Sequence, residues 1–233
     1  SRGLGDVYKR QEFEGFQIVF NGEIYNFKSI RTELLEKGHR FTSQSDTEVI
    51  LHAYKEWGES CLKKFRGMFA FALYNTQNQS IFCARDRAGI KPFFYYYHEG
   101  LFLFASELKA FHQHPNFVKK LDTNAIAAFL QYGNVPGKHC IFKNTFKLQA
   151  GHHFTFQVKD KLIQPIKYWD VKEAYKQPKV KLNFEEAKIQ TESVLHDAFQ
   201  LRLVSDVPVG VFLSGGYDST AVAAILQKNQ TKA

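Results

Sequence analysis

The first apolar segment of the chain alternates with polar residues and is interrupted by Asn-Gly. Residues 13–27 read FEGFQIVF, then NG, then EIYNF. Asn and Gly tolerate positive φ, and Asn-Gly between two alternating runs is the strongest short-range hairpin signal. The pattern therefore predicts two strands that turn at Asn21 and Gly22.

Helical spacing follows this hairpin. Apolar residues recur every three or four positions over 28–37 and again over 46–57, which predicts two amphipathic helices. Gly38 is a stop signal for the first helix. Ser45 and Glu48 have the spacing of a capping box at the start of the second helix.

Strand patterns dominate the middle of the chain. Segments such as FAFALY, FFYYY and LFLFA are almost continuously apolar, so we expect these strands to be covered on both faces. The predicted elements are strands at 68–74, 80–84, 92–97 and 101–105, short helices at 107–111 and 123–131, and a hairpin of 152–158 with 161–169. Helices combined with antiparallel hairpins predict an α+β sandwich.

The pattern changes after a polar, Lys-rich stretch that contains Pro178. Asn183 and Glu186 form a second capping-box pair, which opens a helix to about residue 204. Its predicted inner face consists of Ala187, Val194, Leu195, Ala198 and Leu201. An apolar strand at 208–213, the loop SGGYDST and an apolar helix come next, an order that predicts the start of an α/β nucleotide-binding domain.

Composition narrows the class of protein. The chain of 233 residues is 44% hydrophobic and 23% charged, values that exclude a disordered chain, collagen and a coiled coil. No apolar run is long enough to predict a transmembrane helix. The net charge of +8 is dispersed, so we expect no nucleic-acid partner. The three cysteines lie far apart, which predicts buried thiols in a reducing compartment.

The loop from Ser214 to Thr220 has the chemistry of a pyrophosphate-binding site. Its two glycines let the backbone fold closely around a ligand, and the following helix directs free N–H groups to the same place. The hydroxyl side chains of the loop supply further donors, although the GK[ST] ending of a Walker A loop is missing. The structural alternative is a Gly-rich connection that only caps a helix.

SGGYDST resembles the loop of the ATP pyrophosphatase family, and VPVGVFLSGGYDST resembles the start of the synthetase domain of glutamine-dependent asparagine synthetases. The resemblance implies that ATP is bound by Leu213, Ser214, Gly215, Gly216, Asp218 and Ser219. It also implies Mg²⁺ as a cofactor, with Asp218 near the magnesium pyrophosphate. Tyr217 stands where common asparagine synthetases carry Leu and looks more like relatives thought to amidate sugar carboxylates, which leaves the acceptor open.

Residues 21–26 resemble the NGEIYN motif of class II glutamine amidotransferase domains, and residues 45–48 match their [SG]SD[TC]E segment. An Asn amide and a Gly N–H can jointly donate to a tetrahedral oxyanion. The resemblance implies that the catalytic oxyanion hole is formed by Asn21 and Gly22, and that glutamine is bound by Asn21, Gly22, Glu23 and Asp46. The structural alternatives are a turn at Asn-Gly and a helix cap at Asp46.

Class II glutaminases use a cysteine at the mature N-terminus, whose own α-amine can serve as the base. Cys61, Cys83 and Cys140 do not match this position, so we expect them to be structural and the chain by itself to be inactive. The segments FRGMFAFALYN, ARDRAGIKPFFYY and FASELKA also resemble asparagine synthetases. Within them, we expect Arg85, Asp86 and Arg87 to form a structural ion-pair cluster.

The opening SRGLGDVYKRQ matches one reading frame of a transposon-end adapter used in preparing sequencing libraries, so residues 1–11 are expected to be an artefact. The resemblance implies a glutaminase domain over 12–169 that lacks its N-terminus, with the αββα sandwich of N-terminal-nucleophile enzymes. A linker over 170–183 and the truncated start of an α/β adenine-nucleotide-binding synthetase domain over 184–233 complete the expectation.

These resemblances imply a fragment of a cytoplasmic, ATP-dependent ligase. It would hydrolyse glutamine and transfer the ammonia to an adenylated carboxylate. The first candidate for this carboxylate is that of aspartate, which would give asparagine. Two alternatives stay open: amidation of a sugar carboxylate in polysaccharide biosynthesis, and a non-catalytic ATP-binding relative. The expected partners are small molecules (glutamine, ATP, and aspartate or another carboxylate), with no nucleic acid and no membrane. A homodimer stays open.

Overall fold

The computed structural model describes residues 10–159, 162–204 and 209–228. The chain divides into two compact units, Ser1–Tyr175 and Lys176–Ala233, and each is described by itself. Of the expected adapter segment, residues 1–9 lie outside the described residues, whereas Arg10 and Gln11 belong to a strand. Within the described residues, no helix is long and apolar enough to cross a membrane.

The first unit alternates strands with short helices. Its strands are β1 Arg10–Phe13, β2 Phe16–Ile24, β3 Gly67–Asn75, β4 Ser80–Arg85, β5 Phe94–His98, β6 Leu101–Ala105, β7 Thr145–Lys147, β8 His152–Gln157 and β9 Ile166–Lys167. Its α-helices are α1 Phe27–Glu36, α2 Asp46–Trp57, α3 Cys61–Lys64, α4 Thr123–Tyr132 and α5 Val171–Tyr175, with 3₁₀ turns at Gly58–Ser60 and Leu108–Gln113. The predicted strand at 161–169 is reduced to β9: Lys161 lies outside the described residues, and Pro165, which has no N–H to donate to a ladder, directly precedes β9.

The predicted hairpin at Asn21 and Gly22 is wrong. β1 and β2 are joined two residues after Phe13, where Glu14 and Gly15 have φ of +46° and +81°. Positive φ at both central positions is the geometry that matches the twist of a two-residue hairpin. Asn21 and Gly22 instead lie inside the continuous strand β2 and pair with β3.

All strand pairs are antiparallel and form two sheets, one in the order β1-β2-β3-β4-β8-β9 and one in the order β6-β5-β7. Alternate residues of β3 face opposite ways, because side chains on a strand alternate. Phe69, Phe71 and Leu73 pack with residues of α1 and α2 such as Leu34 and Ile50. The second sheet therefore packs against the small residues on the other face of β3.

Ala70 and Ala72 of β3 pack on that other face with Phe93 and Tyr95, which lie in and beside the second sheet. The outer face of the second sheet is covered in turn, where Tyr96 packs against Phe111 and Phe117. The first unit is thus stacked in four layers: helices, the six-stranded sheet, the three-stranded sheet and a helical turn. The predicted αββα sandwich, with strands covered on both faces, is confirmed.

The second unit contains α6 Phe184–Gln200, a 3₁₀ turn Leu201–Leu203 and α7 Tyr217–Lys228. The capping box of Asn183 and Glu186 forms as predicted. Val194, expected on the inner face of α6, is 68% exposed. The strand expected at 208–213 is not found at 209–213, and Pro208 lies outside the described residues. A strand needs a neighbour to complete its ladder, and no strand occurs in the described part of this unit.

Candidate functional site

Asn21 and Gly22 lie where β2 runs very close to β3. Gly22 has φ of +144°, and a Cβ atom there would lie 2.0 Å from the carbonyl oxygen of Met68. A Cβ at Gly67 on the opposite strand would lie 2.1 Å from the carbonyl oxygen of Glu23. Only glycine fits at either position, so the backbone beside Asn21 is held at a fixed distance from β3.

The Asn21 side chain is held by a residue from the other sheet. Its Nδ2 donates to the Oγ of Ser106, at 3.0 Å, and Ser106 directly follows β6. Ser106 belongs to the FASELKA segment, whose resemblance implied no role for it. Nothing local connects two residues that are 85 positions apart.

Asp46 lies beside the end of β2, next to the position of Glu23. Asp46 is the first residue of α2, and its Oδ2 accepts the backbone N–H of Ile24 at 3.1 Å. Glu23, the residue before Ile24, is exposed. Its side chain is on the same face of β2 as that of Asn21, because the two residues are two positions apart. Asn21, Gly22 and Glu23 are consecutive on β2 and Asp46 is hydrogen-bonded to the next residue, so amide donors and two carboxylates lie at one end of this strand.

The loop before Asp46 is fixed by Glu48. Ser45 accepts the N–H of Glu48 as the predicted cap, but the Glu48 carboxylate does not close a capping box. It instead accepts the backbone N–H groups of Thr42 and Ser43, at 2.7 and 2.6 Å, and both of their hydroxyl groups. Burial raises the pKa of the Glu48 carboxyl, but the hydrogen bonds from Ser43 and Thr42 outweigh burial and lower its pKa.

The three cysteines are buried, as expected, and none is bonded to another. Burial raises the pKa of Cys61 and Cys83 well above the usual range and that of Cys140 to about 12. A thiol is a nucleophile only as the thiolate. These residues are therefore core residues rather than candidates for attack on glutamine.

Arg85, Asp86 and Arg87 are structural, but the expected ion-pair cluster is wrong. The buried Asp86 carboxylate accepts four backbone N–H groups, those of Phe69, Ala88, Ile90 and Lys91. Arg85 donates to three carbonyl oxygens and Arg87 to two. Backbone groups, in the turn after β4 and in more distant segments, thus provide the partners that were expected to be the neighbouring charges.

The candidate phosphate loop lies at the start of α7 in the second unit. Gly215 has φ of +80°, and apart from its two chain neighbours no residue has an atom within 4 Å of the position that its Cβ would take. The hydroxyl oxygens of Ser214 and Ser219 are 3.1 Å apart, and Ser219 and Thr220 both donate to the carbonyl oxygen of Gly216. Three hydroxyl groups thus surround the first turn of a helix, next to Asp218.

The loop is open to solvent. Leu213 is 65% exposed and Tyr217, the first residue of α7, is 96% exposed. The described residues contain no group of three or more His, Cys, Asp or Glu side chains that could hold a metal ion by themselves. A phosphate-bound cation needs fewer protein ligands, because phosphate oxygens and water complete its shell.

Comparison with known proteins gives two family matches. The family described as "Glutamine amidotransferase domain" matches residues 8–169, and the family described as "Asparagine synthase" matches residues 190–233. The first match contains Asn21, Gly22, Glu23 and Asp46, and it also includes the last four residues of the expected adapter segment. The second contains the whole loop from Ser214 to Thr220.

Two curated relatives are similar over most of the chain. "Asparagine synthetase [glutamine-hydrolyzing] 3" of Bacillus subtilis is 41% identical, over 90% of this chain and 33% of the relative. "Putative asparagine synthetase [glutamine-hydrolyzing] 2" of Methanocaldococcus jannaschii is 40% identical, over 95% of this chain and 42% of the relative. A solved glutamine phosphoribosylpyrophosphate amidotransferase from B. subtilis has a TM-score of 0.45 and 17% identity, over 94% of this chain and 45% of that one. The chain thus spans about a third to two fifths of the length of these curated relatives.

Proposed function

This chain belongs to the family of glutamine amidotransferase domains, and we propose that the end of β2 binds glutamine for hydrolysis of its side-chain amide. The observation that supports the proposal is the hydrogen bond from the Ile24 N–H to Asp46, which holds this carboxylate at the end of β2 where Asn21, Gly22 and Glu23 lie. The two carboxylates bind the α-ammonium group of glutamine. The Asn21 amide and the Gly22 N–H donate to its side-chain oxygen.

The oxyanion donors act when a nucleophile adds to the amide carbon. The carbonyl oxygen then carries a negative charge, which two preorganised donors stabilise more than they stabilise the ground state. The nucleophile in this proposal is a cysteine thiolate, as in the family that the chain resembles. Cys61, Cys83 and Cys140 do not fit this role, because they are buried thiols. Collapse of the adduct releases ammonia, and water then releases glutamate from the thioester.

We propose further that the second unit begins a synthetase domain that uses ATP. Ser214, Gly215, Gly216 and Ser219 hold the phosphates at the N-terminus of α7, and Leu213 contacts the nucleotide. The fit is supported by the open space at Gly215 and by the hydroxyl groups around the first helical turn. Mg²⁺ would accompany the pyrophosphate and shield its charge, with Asp218 as the nearby carboxylate.

The complete reaction joins the two chemistries. A carboxylate attacks the α-phosphorus of ATP, forms an acyl adenylate and releases pyrophosphate. Ammonia from glutamine attacks the acyl carbon and expels AMP, which leaves an amide. Aspartate is the proposed acceptor and asparagine the product, because the two relatives at about 40% identity carry the name asparagine synthetase. Residues 12–169, 170–183 and 184–233 are then the glutaminase domain, the linker and the start of the synthetase domain.

The exposure of Tyr217 supports a second candidate for the carboxylate that accepts ammonia. Tyr217 is 96% exposed at the end of the phosphate loop, where it can contact whatever lies beside the ATP phosphates. A phenol offers a hydrogen bond and a flat apolar face, both suited to a sugar ring. A sugar carboxylate is therefore the alternative acceptor to test against aspartate.

The test uses the complete protein with glutamine, ATP and Mg²⁺, and with either aspartate or a uronic acid as acceptor. The expected result is equal release of AMP and pyrophosphate, together with asparagine, only when aspartate is present. Glu23→Gln is expected to raise the KM for glutamine by about 10- to 100-fold, because a hydrogen-bonded charge is lost. Glu36→Gln, at the exposed end of α1, is the matched control and should leave KM unchanged. Failure of the complete protein to form glutamate from glutamine contradicts the proposal.

A further inference from the structure

Ser106 lies outside the residues assigned to glutamine, yet it contacts one of them directly. We infer that Ser106 is a positioning residue, which orients the Asn21 amide for stabilisation of the oxyanion. The inference rests on the proposed function. It adds a role for a residue of the second sheet, which touches no substrate atom itself.

The contact joins the two sheets of the sandwich. Asn21 lies on β2 in the six-stranded sheet, whereas Ser106 follows β6, an edge strand of the three-stranded sheet. The Asn21 Nδ2 donates to the Ser106 Oγ across 3.0 Å, and both side chains are partly buried. Water competes less for the groups of a partly buried hydrogen bond than for those of an exposed one, so the buried bond keeps its geometry better.

The backbone of Asn21 is fixed independently of Ser106. Asn21 pairs with Ala70 on β3, and Gly22 follows at the closest approach of the two strands. The side chain still has two rotatable bonds, and its terminal amide has a donor end and an acceptor end of similar shape. Strand pairing alone therefore leaves open where the side-chain amide points.

Ser106 restricts those rotations. With one Nδ2 hydrogen directed to Ser106 Oγ, the second Nδ2 hydrogen stays available to an oxyanion. Without this hydrogen bond the side chain would be free to rotate about its two bonds, and the Nδ2 donor would spend part of its time directed away from the oxyanion. The serine thus holds the donor in place before the substrate reacts, which is the preorganisation that makes such donors effective.

The kinetic consequence is specific. An interaction made mainly in the transition state affects kcat, whereas binding of the α-ammonium group by Glu23 and Asp46 affects KM. In the complete protein, Ser106→Ala is expected to lower kcat for glutamine hydrolysis by about 10-fold, less than loss of a whole oxyanion donor. KM for glutamine should change by no more than about 2-fold, because the ground state hardly uses the donor.

Two variants separate positioning from general damage. Ser106→Thr keeps the hydroxyl group and should retain most of the wild-type kcat. Ser29→Ala removes the hydroxyl of an exposed serine on α1 and should leave kcat unchanged. Amide synthesis from added ammonia bypasses glutamine and should proceed equally in all variants.

A double-mutant cycle with Asn21→Ala gives the sharpest result. If Ser106 acts through Asn21, Ser106→Ala lowers kcat in the wild-type background and has no further effect once Asn21 is alanine. An unchanged kcat in Ser106→Ala, or an equal loss with and without Asn21, overturns the inference and leaves the proposed function intact. Absence of glutaminase activity in the wild-type protein overturns both.

Discussion

The Nδ1 atoms of His39 and His52 lie 2.9 Å apart, so one ring donates a proton and the other must accept it. His39 also reaches Glu56 through its Nε2, at 3.0 Å. His52 is only 1% exposed and lies between the rings of Phe13 and Phe41. The arrangement holds while at least one of the two imidazoles is neutral.

Acidification is therefore expected to destabilise the fold. Burial and the neighbouring His39 lower the pKa of His52 below its ordinary 6.5, and the opposing charge of Glu48 does not restore it. Burial also lowers the pKa of His153. The unfolded chain then binds more protons than the folded one, so stability is complete above pH 6.5 and is lost as pH falls towards the lowered values.

Thermal unfolding measured between pH 8 and pH 5 tests this expectation. The melting temperature should fall as the pH drops, and His52→Gln should make the fall shallower, because one of the groups that titrate differently is gone. His139→Gln replaces an exposed histidine and should leave the slope unchanged. A slope that His52→Gln does not alter contradicts the assignment to His52.

Gly22→Ala is expected to destabilise the protein by about 4 kcal/mol, at the upper end for single substitutions. The new Cβ would meet the Met68 carbonyl at 2.0 Å, so β2 and β3 would have to separate. Gly38→Ala is the control, since Gly38 also has positive φ but no atom within 4 Å, and backbone strain alone costs about 1 to 2 kcal/mol. Equal losses in urea unfolding would show that strain, not the close approach, dominates at Gly22.

Asp86→Asn should cost about 3 kcal/mol, although it changes no side-chain volume. The carboxylate accepts two backbone N–H groups on each oxygen, and an Asn amide would direct its own N–H groups at two of them. Asp122→Asn is the matched control. Asp122 is the N-cap of α4, where Asn is as good a cap, and the change should be close to neutral.

The three thiols should not react in the folded chain. Ellman's reagent is expected to modify none of Cys61, Cys83 and Cys140 within minutes, and all three after unfolding in guanidinium, because each is buried with a raised pKa. The chain as printed should also hydrolyse no glutamine. A thiol that reacts rapidly in the folded chain and is protected by glutamine would show that one of these residues is a nucleophile after all.

Local signals in the sequence predicted most of the fold. The bounds of α2 follow from the Ser45 cap and from the helical spacing up to Trp57, which need no information from the rest of the chain. The apolar run of β3 similarly predicted burial on both faces, and Ala70 and Ala72 supply the face that packs on the second sheet. The αββα arrangement follows from such two-sided strands.

Contacts between distant residues could not be predicted in the same way. Asn-Gly indicated a turn at Asn21, but the positive φ of Gly22 allows close pairing with Met68 and Phe69 instead. Glu48 had the spacing of a capping box, yet the amides of Thr42 and Ser43 attract its carboxylate more strongly. In the candidate site, residue types were predictable from the motifs, whereas the partner of the Asn21 side chain was not.

Gly22 and Gly67 constrain how this site can be altered by selection or by engineering. Each glycine approaches the backbone of the opposite strand, so neither can acquire a side chain while the other strand stays in place. A library aimed at a new donor amide therefore gains nothing from randomising these two codons. Diversity is better directed to Glu23 and Ser106, whose side chains can change without forcing the two strands apart.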